Sequence, residues 1–163
     1  MKRLLSTLIS STLLGGAILT TPLTSYADST TTTQEQTKMA VTNKDKAVAL
    51  LHSIETGDQT PVSYVNAEKY TQHNLLIADG LAGFGTALQA LDGKGKAKVV
   101  RAFSDGDYVF THTDYDFFGP KVGFDIFRFE DGKIVEHWDN LQETASTTAS
   151  GRTQIDGPTD VVD

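Results

Sequence analysis

The sequence predicts an α+β domain in which helices come first and a bent antiparallel sheet follows. Three observations carry this. Between residues 43 and 91 apolar side chains recur at helical spacing, and after Gly93 the period drops to two. Asp105-Gly106, Gly119-Pro120 and Asp131-Gly132 then punctuate the second half at hairpin positions. At 163 residues the chain supports one domain, and the roughly 100 residues between 43 and 142 can hold one modest core.

The first 27 residues stand apart from that domain. Lys2 and Arg3 precede a mostly apolar run over 4–19, and Ser25-Tyr26-Ala27 is a small-x-small step. These are the parts of a signal peptide, and the run is too short and interrupted for a membrane span. Cleavage after Ala27 and export, to a periplasm or the medium, are expected. There is no cysteine, which closes the lipoprotein route and leaves stability to an ordinary core. Removing residues 1–27, which carry two positive charges and no acid, takes the net charge from −7 to −9. Such a domain repels phosphate backbones and anionic surfaces, so neither nucleic acid nor, after cleavage, a membrane is an expected partner. Residues 28–42 are threonine-rich and aperiodic, as a flexible spacer would be.

The domain opens with a helix. Thr42 and Asp45 have the spacing of a capping box, Ala47, Leu50, Leu51 and Ile54 form its inner stripe, and Gly57 is placed to end it. Thr60-Pro61 starts a second short helix, with Val62, Val65 and Tyr70 inward. A polar loop over 71–74 leads to a third helix over 81–91, striped by Phe84, Leu88 and Leu91 and weakened by Gly83 and Gly85. Strands follow over 98–103 and 108–117, the second with Phe110, His112 and Asp114 on one face.

Residues 123–142 are the organising stretch, two strands joined at 130–132. A two-residue turn pairs Glu130 with Lys133 and puts Asp125 and Asp139 on opposite faces. A three-residue turn pairs Phe129 with Lys133, sets His137 across from Asp125, and lines Asp125, Phe127, Val135, His137, Asp139 and Leu141 along one face. It also leaves Arg128 diagonal to Glu136 on the other. The second register is the expected one, because a charged pair suits a wet face and a mixed apolar–acidic face suits a pocket. Two carboxylates and an imidazole on one apolar wall are parts for proton transfer; equally, they are what a hydrogen-bonded, half-buried strand contains. Residues 143–163 return to a polar, aperiodic tail.

The order of these elements, with YTQHN at 70–74, Asp79-Gly80, FDIFRFEDGKIVEHWDNLQ at 124–142 and GRTQIDGPTD at 151–160, resembles a SnoaL-like protein. That is a branch of the nuclear transport factor 2-like (NTF2-like) superfamily, and the likeness spans about 43–160. The resemblance implies a cone-shaped α+β barrel, in which a strongly bent antiparallel sheet wraps around three N-terminal helices and leaves a deep pocket. It implies homodimers packed through the sheet. It also implies cofactor-independent aldol cyclisation, with the last-strand carboxylate, matched here by Asp139, taking a proton next to a carbonyl. The cyclases carry a histidine where this chain has Asp125, which makes a pair of facing acids instead of an acid and an imidazole. The scaffold also hosts isomerases, dehydratases and binding proteins, so it does not set the reaction.

The expected site is therefore Asp139 as general base, with His137, Asp125 and His73 as catalytic partners. Tyr70, His112, Phe127 and Phe110 are expected to contact a small hydrophobic or carbonyl-containing molecule. His137 bonded to Asp125, His73 in its loop and His112 on its strand each have a purely structural alternative. His52 is expected to be exposed, and Trp138 to pack on the outer face. A metal site would need His73, His112 and His137 with Asp125 or Asp139. No pair has metal-ligand spacing such as HExxH, and neither metal nor cofactor is expected. Two functions stand at this point: a cofactor-independent cyclase, isomerase or lyase, and a secreted protein that binds a small hydrophobic ligand without transforming it.

Overall fold

The computed structural model describes residues 40–160. The expected leader, and the expected spacer up to residue 39, lie outside the described residues. Helix α1 (Asn43–Thr56) starts where the sequence places it. Thr42 Oγ1 accepts from the Asp45 backbone at 3.1 Å, and the Asp45 carboxylate accepts from the Thr42 N–H at 3.0 Å, so two orphan donors are satisfied reciprocally. Gly57, at φ 72°, ends it in the left-handed conformation. Ala47, Leu50 and Leu51 of this helix enter the core.

The expected second helix is a single 3-10 segment, Thr60–Tyr64, with Pro61 buried at its start. Residues 71–72, expected as loop, form a short strand, β1 (Thr71–Gln72), parallel to the last strand. That last strand would otherwise be an open edge, and β1 covers part of it. Helix α2 (Gly80–Leu91) follows, with Phe84 buried. Gly83 is required there: a Cβ would stand 1.9 Å from the Ala78 carbonyl oxygen.

The remaining strands are β2 (Lys96–Asp105), β3 (Tyr108–Asp116), β4 (Pro120–Glu130) and β5 (Lys133–Glu143). The sheet order is β1-β5-β4-β3-β2, an antiparallel meander extended by one parallel strand, so the sheet is mixed, which corrects the antiparallel expectation. Its inner face packs on α1 and α2 through Val109, Tyr115, Phe127, Phe129 and Ile134.

Two one-residue bulges decide which side chains share a face. In β2 the register shifts between Val99 and Arg101, so Val99 pairs with Thr113 while Arg101 pairs with His112. In β5 the turn is the two-residue form that was not expected. Glu130 pairs with Lys133, and Asp131 and Gly132 both have positive φ, 49° and 72°. The register then shifts between Arg128 and Phe129: Phe129 faces Ile134, but Arg128 faces Glu136 directly. Ile134, and not Val135, joins the core cluster with Phe129. The bulge thus returns His137 and Asp139 to the face of Asp125, which the turn alone would have denied them.

The tail beyond β5 folds back to β2. Arg101 donates from Nε to the Pro158 carbonyl and from Nη2 to the Asp156 carbonyl, each at 2.7 Å, and from Nη2 to that of Ile155 at 3.1 Å.

Candidate functional site

Alternation along β3, β4 and β5 turns Thr111, Thr113, Tyr115, Asp125, His137 and Asp139 to the inner face. Beneath them, α1 and α2 leave a cavity of about 740 Å³, whose walls include Leu50, Leu51 and Phe84 from the helices and Tyr70, Asp125 and Asp139 from the sheet side. The helix residues that line it are all apolar, and its polar side chains come from the strands and from residues 70–74.

Asp125 and Asp139 are a directly facing cross-strand pair, and their surroundings differ sharply. Asp125 is only 1 % exposed. Its Oδ2 accepts from the hydroxyls of Thr111 at 2.7 Å and Thr113 at 3.1 Å, and its Oδ1 accepts from the Tyr115 hydroxyl at 2.7 Å. His137 Nε2 approaches the same Oδ1 at 3.4 Å. Four groups thus occupy a carboxylate that has about four acceptor positions. Gly123 makes room for this arrangement: a Cβ there would lie 2.9 Å from Cε2 of the Tyr115 ring. Burial and the adjacent Asp125 carboxylate push the Tyr115 hydroxyl far up, so it stays a proton donor.

Asp139 is half-buried and carries one hydrogen bond among the described residues, from Asn74 Nδ2 to Oδ2 at 2.6 Å. Burial raises its pKa above the usual carboxylate value, and the negative charge of Asp125 adds to that; the Asn74 bond and His137 oppose it. One facing acid is therefore committed to hydroxyl donors, and the other stands open to the cavity with a raised pKa. This separation of two carboxylates by environment divides structural and reactive roles.

His137 faces the Phe127 position and lies stacked on that ring, with centroids 4.6 Å apart, not across from Asp125 as expected. Its Nδ1 contacts Gln72 Oε1 at 2.8 Å, and the Gln72 amide donates to the Tyr70 hydroxyl at 3.1 Å. The parallel pairing of Gln72 with His137 creates this chain of contacts. Burial raises the pKa of the Tyr70 hydroxyl as well. Gln72, Asn74, Tyr115 and the two threonines were not singled out from the sequence. For Tyr115 and the threonines the one signal was their alternation with Phe110, His112 and Asp114 inside a strand, which a solvent-facing strand shares; Gln72 and Asn74 lie in a segment with no period.

The other expected residues divide. Tyr70 and Phe127 line the cavity, as do Asp125, His137 and Asp139. His73 reaches its rim, but its imidazole turns to the opposite face of β5. There Nε2 lies 2.9 Å from Glu136 Oε1, and the ring stacks on Trp138 at 4.8 Å and 3°. Glu136 is held in turn by Arg128 at 2.7 Å. Asn74, the next residue, is the one that stands beside Asp139. His52 is exposed.

His112 and Phe110 lie on the outer face of the sheet, away from Asp139, because strand alternation separates them from Thr111 and Thr113. They line a smaller recess of about 400 Å³ with Arg101, Phe103 and Phe124. His112 Nδ1 accepts from Arg101 Nη1 at 2.7 Å, and its Nε2 is buried without a partner among the described residues. Burial, and then the Arg101 charge, hold its pKa below the ordinary histidine value. Because the folded state favours neutral His112, its contribution is complete above about pH 6.5 and declines as pH falls below that value. Protonation removes the acceptor for Arg101, which also anchors the tail. Arg101→Ala should therefore speed tryptic cleavage after the exposed Arg152 at neutral pH. The wild type should approach that behaviour in hydrogen exchange of 153–158 as pH falls below about 6.5. Unchanged cleavage in Arg101→Ala would show that the tail is held elsewhere.

One atom each of Asp125, His137 and Asp139 lies within 4.8 Å of the others, a spacing that a cation could span. The donor set fits poorly: Asp125 already accepts from three hydroxyls, and a metal would have to displace them. His73 and His112 are on the other face and cannot complete a shell.

No protein-family model and no curated protein matches the chain. Solved structures match its fold. An NTF2-like protein of unknown function from Cytophaga hutchinsonii aligns at TM-score 0.55 and 16 % identity, over 64 % of this chain and 94 % of its own. A proposed polyketide cyclase from Bacillus cereus aligns at 0.52 and 19 %, over 60 % and 72 %. Another, from Acidithiobacillus ferrooxidans, aligns at 0.51 and 16 %, over 63 % and 91 %. The fold is thus the NTF2-like α+β fold expected from the sequence.

Proposed function

We propose that this chain, built on the NTF2-like fold, is a cofactor-independent acid/base enzyme that removes a proton next to a carbonyl in a small molecule held in the inner cavity. The observation that carries this reading is the contrast between the two facing acids. Asp139 opens on the cavity with its pKa raised by burial, so the charged form is a stronger base than an exposed aspartate. Asn74 fixes its orientation from Oδ2. The second hydrogen of the Asn74 amide nitrogen, beside Asp139, is the donor for an oxygen on which negative charge develops, while both ring nitrogens of His137 are engaged with Gln72 and Asp125. Asp125 is a positioning residue: its bonds hold Tyr115 and His137 in place from behind. Aldol cyclisation and carbonyl-side isomerisation both begin with this proton transfer. The named polyketide cyclases among the structural neighbours agree with it. Export, expected from residues 1–27, forms part of the proposal and would put the substrate outside the cytoplasm.

Cyclohexanone in heavy water provides the test. Exchange of its α-protons, followed by NMR, should run faster with protein than with buffer and should return to the buffer rate in Asp139→Asn. Equal exchange with both proteins would remove the base from the proposal and leave the cavity as a binding site.

A further inference from the structure

Among the described residues, the three most exposed large apolar side chains gather at one place. Leu75 is 98 % exposed, Leu76 95 % and Phe118 79 %, and all three line the 740 Å³ cavity. A side chain that lines a cavity and is almost wholly open to water lies at its mouth. These residues come from distant parts of the chain. Leu75 and Leu76 follow β1, and Phe118 sits in the β3–β4 turn at φ 56°, a strained value for an aromatic residue. Asp116 Oδ1 accepts from the Gly119 N–H at 3.1 Å and helps to set this turn.

The lip is tied to the reacting group. Asn74 donates from Nδ2 to Asp139 and accepts the Leu76 N–H on Oδ1 at 2.7 Å, so one amide fixes both the proposed base and the apolar lip. Below the lip, Leu50, Leu51 and Phe84 continue the apolar surface on the helix side, and the polar side chains come from the strands and from residues 70–74. A compact ligand held wholly inside would leave Leu75, Leu76 and Phe118 in water. An anionic bilayer is a poor occupant: Asp79 at the N-cap of α2, Asp116 at the end of β3 and Glu143 at the end of β5 outweigh Lys121, and the chain has a net charge of −7.

We infer that the cavity takes a linear amphiphile, with a carbonyl head against Asp139 and Asn74 and a hydrocarbon chain leaving through the mouth to cover Leu75, Leu76 and Phe118. This deepens the proposed function and rests on Asp139 as the group that meets the carbonyl.

The test is calorimetric binding of straight-chain methyl ketones of increasing length, from hexanone to dodecanone. The wild type should bind each longer member more tightly. Leu75→Ser/Leu76→Ser and, separately, Phe118→Ser should weaken the longest member about tenfold, as expected for roughly two methylenes returned to water. Both should leave hexanone unchanged, which also reports that the variants are folded. The inference is overturned if affinity is flat with length, or if the substitutions weaken all members alike or none. Binding of phosphatidylcholine vesicles that needs the lip, together with a flat ketone series, would assign the lip to a bilayer and overturn it too. Repeating the series in Asp139→Asn separates the two proposals. Length dependence with no Asp139-dependent exchange leaves the amphiphile and removes the base. Asp139-dependent exchange with a flat series does the reverse.

Discussion

Asp139→Asn should lower the proton-transfer rate by about a hundred- to ten-thousand-fold, the span that a positioned general base contributes. The amide has the shape of the carboxylate and can keep the Asn74 contact through its oxygen, but it cannot accept a proton. In the wild type, activity should rise with pH through the raised pKa of Asp139 and level off once the carboxylate is charged. Stability moves in the opposite sense. A folded-state pKa above the unfolded one makes the buried acid cost stability as pH rises through the folded value. Asp139→Asn should therefore be at least as stable as the wild type at neutral pH. A loss of rate with no loss of stability identifies the group as chemical. A variant that loses both equally would mark it as a structural polar residue.

Asp125→Ala should have the larger effect on folding. Removing the carboxylate leaves the hydroxyls of Thr111, Thr113 and Tyr115 and the His137 ring facing a buried void. A buried hydroxyl left without its acceptor costs about 1–3 kcal/mol, and three are left here. The loss should appear as a lower urea midpoint at unchanged slope. Asp125→Asn should cost less, because the amide oxygen keeps one acceptor and the Tyr115 hydroxyl can rotate to accept from the amide nitrogen. If Asp125→Ala is as stable as the wild type, the hydroxyl cluster does not hold this wall together, and Asp125 returns to candidacy as a reacting acid. The two variants are adjacent across the ladder and will not be additive in combination.

The helices, the meander and the inner face of the last hairpin were legible in the sequence because each depends on local periodicity and on turn chemistry. The Thr42–Asp45 cap and the Gly57 stop of α1 are local events, and they fall where the spacing predicts. The hairpin illustrates the limit. The Asp-Gly step implied a tight turn, but the expected three-residue form is absent; a two-residue turn and a bulge reach the same face by another route. A bulge is set by how a strand meets its partners and by core packing, so no single strand announces it. The same reason put Arg101 across from His112, while alternation along β3 set His112 and Phe110 outside the cavity. Pairing of residues 71–72 with β5 was equally hidden, since a two-residue strand has no period. That pairing turned His73 outward and brought Gln72 and Asn74 to His137 and Asp139. What the sequence by itself determined is the fold class; it named Asp125, His137 and Asp139 as one wall, but through a turn that is absent, and the bulge in β5 is what puts them there. The tertiary structure alone decided which of the two acids is saturated and which is open. That difference arises from side chains on β3, from β1 and from the room left by Gly123, all brought together by folding.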